Sequence, residues 1–178
     1  MVLTKHSMAG VVMTTLLVFF MSGTAFAEGT KVPHKKAIKA MEVHFQNSPK
    51  TSPIELSDQT VSSENLHEKD CLYTISEDGQ VMGYLLSTSA KGRYDYFDYS
   101  IIYSKELEVL GVIVSAYRST HGAGICQKKW LSQFQGYQGG PLKMGSDIDG
   151  VSGGTLSASS MIADMQRCHL LISEAAGH

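Results

Sequence analysis

Residues 94 to 103 alternate with period two: Phe97, Tyr99, Ile101 and Tyr103 fall on one side, and Tyr96, Asp98 and Ser100 on the other. That pattern predicts a strand with one face buried. Val109 to Tyr117, rich in Val and Ile, predicts the next strand, with Ser104 to Leu107 as the turn between them. Upstream, Leu72 to Ile75 and Val81 to Leu86 flank Asp78-Gly79, a strong hairpin signal between apolar runs. Residues 72 to 117 therefore read as an antiparallel meander. After Arg118 the β texture stops. A helix is expected over Ile125 to Gln135, with Trp130, Leu131 and Phe134 inward, Lys128 and Lys129 near solvent, and Gly136 as its stop. Residues 136 to 150 hold five glycines and Pro141 and read as loop or short irregular strand. A last helix is expected from near Gly154 to about Ser173. Its core stripe is Met161, Met165, Cys168 and Ile172, at i, i+4, i+7 and i+11. The fold class is α+β: an antiparallel sheet packed against two or three helices.

The N-terminus carries a different signal. Lys5 precedes an almost uninterrupted apolar run from Met8 to Met21, followed by small residues ending Ala25-Phe26-Ala27. This is the layout of a secretory signal peptide with its cut after Ala27. The run is short for a membrane span. Cleavage leaves roughly 150 residues, enough for one domain with its own core. Residues 28 to 70 read as a lead-in to the domain of residues 71 to 178. Lys31 to Gln46 has helical spacing, with Ala37, Ile38, Met41 and Phe45 on one face. Residues 47 to 65, rich in Ser, Thr and Pro, read as loop or linker, with a turn of helix near Ser62 to His67. The formal net charge of −2 and the lack of a basic stripe argue against a nucleic-acid partner. Three cysteines, Cys71, Cys126 and Cys168, allow at most one intramolecular pair, and each reads as a small buried hydrophobe.

The chemistry concentrates where the glycine-rich loop enters the last helix, over Asp149-Gly150-Val151-Ser152-Gly153-Gly154-Thr155. Ser152 is a natural N-cap, and Gly153 and Gly154 allow a close backbone approach. Thr155 falls in the first turn, beside unpaired N–H groups and the positive end of the helix dipole. Such a place favours a phosphate. Ser157 and Ser159 add hydroxyls. On local physics alone the same residues describe an ordinary capped helix as well as they describe a ligand site.

The segment resembles the covalent FMN-attachment motif of the FMN-binding domain found in the RnfG and NqrC subunits of membrane redox pumps. That motif runs Asp, two residues, Ser or Thr, Gly, Ala, Thr; here Gly154 stands where Ala is usual. The resemblance extends upstream through the strand Val109 to Tyr117, the glycine loop Arg118 to Gly124, and Lys129-Trp-Leu-Ser-Gln-Phe-Gln-Gly136, and covers roughly residues 71 to 172. It implies FMN joined to the Thr155 hydroxyl as a phosphoester by a dedicated flavin transferase. Asp149, Ser152 and Gly153 would be read by that enzyme and then help hold the phosphate. The loop Thr120 to Gly124, with His121, Gly122 and Gly124, would lie over the isoalloxazine ring, its glycines making room. The implied function is extracytoplasmic electron transfer with a membrane-associated redox protein or quinone-linked reductase, as an electron-transfer domain or subunit more than a self-contained enzyme.

Two rival readings stand beside it. Gly150-Val-Ser152-Gly-Gly154 satisfies the G-x-S-x-G pattern of a serine hydrolase elbow, with His169 or His178 as partner. The elbow needs a buried strand before the serine, and Lys143 to Asp149 is short and polar. The other rival is a binding or structural module of the same fold that carries no flavin. Gly122-Ala-Gly124 lacks the third glycine of a dinucleotide fingerprint, and no Cys/His spacing indicates zinc. Cys126 reads as a buried helix residue, or as a reactive thiol near the flavin. His121 reads as a solvated loop residue, or as a hydrogen-bonding partner of the ring.

Overall fold

The computed structural model describes residues 32–45, 49–56 and 61–177. The signal-peptide reading of residues 1–27 lies outside them, as do Lys31, Gln46 and His178. Five strands form one antiparallel meander in chain order: β1 (Lys50–Ile54), β2 (Cys71–Glu77), β3 (Gln80–Lys91), β4 (Tyr96–Ser104) and β5 (Val109–Ala116). Three helices join it: α1 (Lys35–His44), α2 (Lys128–Leu131) and α3 (Thr155–Ala176). This is the expected α+β class. Among the described residues no helix is long and apolar enough to cross a membrane.

The β2–β3 turn is the one the sequence announces. Asp78 and Gly79 both take positive φ, 49° and 80°, which matches the right-handed twist of the flanking strands. In β4 Phe97, Tyr99, Ile101 and Tyr103 all enter the larger core as expected, but the other face is not left open: Ser100 and Ile102 are buried too. The first four meet Met161, Met165, Cys168 and Ile172 of α3, each 0% exposed. Burying such a side chain is worth on the order of 1.5–3 kcal/mol, so this stripe fixes α3 across the sheet. Trp130, Leu131 and Phe134 fill the same layer.

The opposite face is covered as well. Ala37, Met41 and Phe45 close over Tyr73, Ile75, Leu85 and Ile102 in a second core cluster. His34 starts α1 by accepting the Lys36 N–H at its Nδ1, 3.2 Å away.

Three elements differ from their expected form. The strand expected over Val81 to Leu86 runs on to Lys91, paired with β4 as far as Lys91↔Tyr96. Within the stretch expected to be loop or linker, Lys50–Ile54 is a strand, paired from Lys50↔Ser76 to Ile54↔Leu72. As an edge strand it tolerates Pro53, which has no N–H to donate, and its polar side chains hide the period-two signal. The helix expected over Ile125 to Gln135 is broken into a 3₁₀ turn at Ala123–Cys126, the short α2, and a second 3₁₀ turn at Ser132–Phe134. Gln127 is extended (φ −73°, ψ 134°) and interrupts the ladder. Apolar spacing identifies the face a segment buries, not the hydrogen bonds it makes, so the inward residues are as expected while the helix is not.

Candidate functional site

The segment from Asp149 to Thr155 is held from below. The Trp130 indole Nε1 donates to the Asp149 carbonyl at 2.7 Å, and the Asp149 N–H donates to Gln133 Oε1 at 2.9 Å. The buried Ile148 anchors the residue before. The chain then turns, with the Gly154 N–H bonded to the Val151 carbonyl at 2.9 Å. Gly153 takes φ +68°, a conformation that favours glycine, in open space.

The second half of the site is the loop after β5, and the two loops meet backbone to backbone. A Cβ on Gly122 would lie 2.9 Å from Gly154 Cα, and one on Gly154 would lie 3.0 Å from Gly122 Cα and 2.9 Å from Val151 Cγ1. A Cβ on Gly124 would lie 2.5 Å from Val151 Cγ1. The space beside Gly122, Gly124 and Gly154 is therefore taken by protein. Tyr117 ties the junction: its hydroxyl donates to the His121 carbonyl at 2.5 Å and lies 3.1 Å from Ser157 Oγ.

The candidate residues divide by exposure. Asp149, Ser152, Gly153, Thr155 and His121 face solvent, while Gly154 and Ser157 are buried. Ser157 points inward to Tyr117. Ser152 does not cap the helix: Gly154 occupies the N-cap position, and no side chain caps the first turn. Thr155 is thus the first residue of a 22-residue helix, its hydroxyl beside backbone donors that no side chain satisfies. His121 accepts or donates at Nδ1 with Thr120 Oγ1, 2.9 Å away, and its ring meets the Tyr94 ring edge-on at 6.3 Å between centroids. Sequence reasoning missed Tyr117, Tyr94 and Gln133. Only the position of Tyr117 at the end of a strand, before the glycine loop, hints at its part.

Among the described residues the hydrolase arrangement does not form. Lys143 to Asp149 makes a turn with a single Met144↔Ile148 bridge, not a buried strand. His169 is 8% exposed and packs over Gly139, beside the Tyr137 ring at 5.3 Å. It lies 14 residues beyond Thr155 on α3, about 20 Å along a helix rising 1.5 Å per residue. Cys71, Cys126 and Cys168 are unpaired, and only Cys168 is fully buried. Cys126 faces a groove shared with Lys36 and His44 of α1. Burial pushes its thiol up, against a smaller opposing effect of Lys36, so it lacks the thiolate character of a reactive cysteine.

No profile of a known protein family matches the chain, and no curated protein sequence matches it. Among solved structures the chain is similar to the crystal structure of Shewanella oneidensis NqrC, with a TM-score of 0.47 and 16% sequence identity over 61% of this chain and 59% of that one. The chain thus spans about three fifths of that protein's chain.

Proposed function

We propose that this chain is an exported electron-transfer domain carrying FMN as a phosphoester on Thr155. The observation that carries the reading is the placement of Thr155. An exposed hydroxyl opens a long helix whose first turn has no side-chain cap, in a segment with the Asp149-to-Thr155 motif. A phosphate ester there would meet free N–H groups and the positive end of the dipole. Bound FMN would supply reversible electron uptake. This chain's residues supply the rest. Trp130 and Gln133 fix Asp149 where a flavin transferase can read it, and the Gly122–Gly154 contact fixes the direction from which Thr155 is approached. The signal-like N-terminus puts the domain outside the cytoplasm, where covalent linkage prevents loss of cofactor. Its reductant would be a membrane-associated redox protein or a quinone-linked enzyme.

Co-expression with a flavin transferase tests this directly. Trypsin should release Met144–Arg167, and after denaturation that peptide should carry the mass of one FMN. Thr155→Ala should carry none. A wild-type peptide without added mass under these conditions would falsify the proposal.

A further inference from the structure

β5 is the last strand of the sheet, so one of its edges has no strand beside it. Other groups hold that edge only at its ends. At the start, the Val109 N–H donates to the Tyr137 carbonyl and the Gly136 N–H to the Val109 carbonyl, each at 2.9 Å. Next to them Gln135 Nε2 donates to the Leu110 carbonyl at 3.1 Å. At the far end Lys36 Nζ donates to the Ser115 carbonyl at 3.0 Å. Between these ends, no described backbone group outside the sheet bonds to residues 111–114. An unpaired row of strand N–H and C=O groups is a template for another chain.

The same four residues, Gly111, Val112, Ile113 and Val114, line a groove of about 480 Å³ between α1 and the short α2. Its α1 wall carries Ala40 and Val43, and Val43 is an apolar side chain left 79% exposed. Its other wall carries Cys126 and Leu131. The charge on the lining has one sign. Lys36, Lys39 and Lys128 supply three exposed ammonium groups, and no carboxylate lines the groove among the described residues. The chain as a whole is weakly acidic, at −2, so the basic lining is a local excess.

We propose that the outer edge of β5 receives an extended acidic segment of a partner protein, which joins the sheet as a further strand between α1 and α2. Main-chain bonds to residues 111–114 supply affinity, and apolar side chains of the incoming strand pack on Val43 and Leu131. Its carboxylates meet Lys36, Lys39 and Lys128. The lysines also decide against a second copy of this chain. Pairing two β5 edges would bring both sets of ammonium groups together, the like-charge arrangement that keeps edge strands apart. An acidic strand turns that repulsion into attraction. This docking needs no flavin.

The test uses the full chain and a short fluorescent peptide alternating valine and glutamate. Two control peptides accompany it. One has lysine in place of glutamate, and the other has its backbone nitrogens methylated, which keeps the charge and removes strand pairing. The glutamate peptide should protect amides within residues 111–114 from hydrogen exchange. It should slow alkylation of Cys126, which lines the groove, and not of Cys71 on β2. Both controls should bind roughly tenfold more weakly or not at all. Reversing the charge of the groove with Lys39→Glu and Lys128→Glu together should weaken the glutamate peptide by a similar factor. Lys129→Glu, next to the groove, should leave its binding within about twofold. All three lysines are exposed, so these substitutions leave the core intact. If the glutamate peptide binds no better than the methylated one, or if Cys126 stays unprotected, no strand adds to β5 and the proposal fails. It fails equally if the protein alone sediments as a dimer with these amides already protected, because the occupant is then a second copy.

Discussion

At Gly154 a single methyl group decides how the two loops of the site pack. Its φ of −122° is open to any residue, so the constraint is steric and not conformational. An alanine Cβ would meet Val151 Cγ1 at 2.9 Å and the Gly122 carbonyl at 3.2 Å. Either the valine rotates or the loops separate. Gly154→Ala should therefore lower stability by about 1–3 kcal/mol, the usual cost of overpacking, read as a shift in the urea midpoint. Because Val151 is the nearest obstacle, adding Val151→Ala should restore part of the loss. An unchanged midpoint in Gly154→Ala would show that the loops are not in contact as described. The motif read from sequence marks Gly154 as a substitution for alanine. What the sequence does not carry is Gly122, more than thirty positions earlier, as the reason a methyl is unwelcome.

The elements show the same division between local and distant information. β4 is legible because its two faces see different neighbours, and its alternation records that directly. The α3 stripe is legible because helix period and core face coincide. β1 is not, since an edge strand with Pro53 and exposed polar side chains has little pattern to read. The interrupted helix at Ala123–Phe134 is not, because Gln127 breaks it through backbone conformation alone. The link between α3 and the segment preceding β2 is also invisible in sequence. There Arg167 donates to Asp70 Oδ2 at 2.7 Å, to Asp164 Oδ1 at 2.6 Å and to the Asn65 carbonyl at 2.5 Å. The side chains are shielded from water, 11% exposed for Arg167 and 0% for Asp70. Removing one partner strands the other charge. Arg167→Ala should cost about 3–5 kcal/mol and make residues 61–70 sensitive to protease. Asp70→Asn in the same background should recover part of the loss. A loss below about 1 kcal/mol, typical of exposed pairs, would contradict the buried geometry.

At the scale of the whole molecule, both faces of the sheet carry a helical layer among the described residues: α3 and the Trp130 segment on one side and α1 on the other. Charge is near balance, at −2 with histidines neutral, so no long-range repulsion dominates stability between neutral and mildly acid pH. A local group then becomes visible in the global titration. His169 lies between the large core and the Gly139 turn, next to the rings of Tyr103 and Tyr137. Its Nδ1 is buried without a hydrogen-bond partner, and so is the Tyr103 hydroxyl. Burial holds the imidazole below its ordinary value of 6.5, against a weaker opposing contact with the Gln138 backbone. The sign follows from proton counting. Below pH 6.5 the unfolded chain takes up a proton on this histidine that the folded chain refuses until its lower value is reached, so acid favours unfolding in that interval. The contribution of His169 is complete above pH 6.5 and is lost as the pH falls toward the folded value. Thermal unfolding midpoints should decline from pH 7 to pH 5. His169→Gln, which cannot take up a proton in this range, should flatten that decline even if it lowers stability at pH 7. Parallel curves for the two proteins would mean that His169 is protonated as readily when folded as when unfolded, and that the Gly139 turn does not close over it.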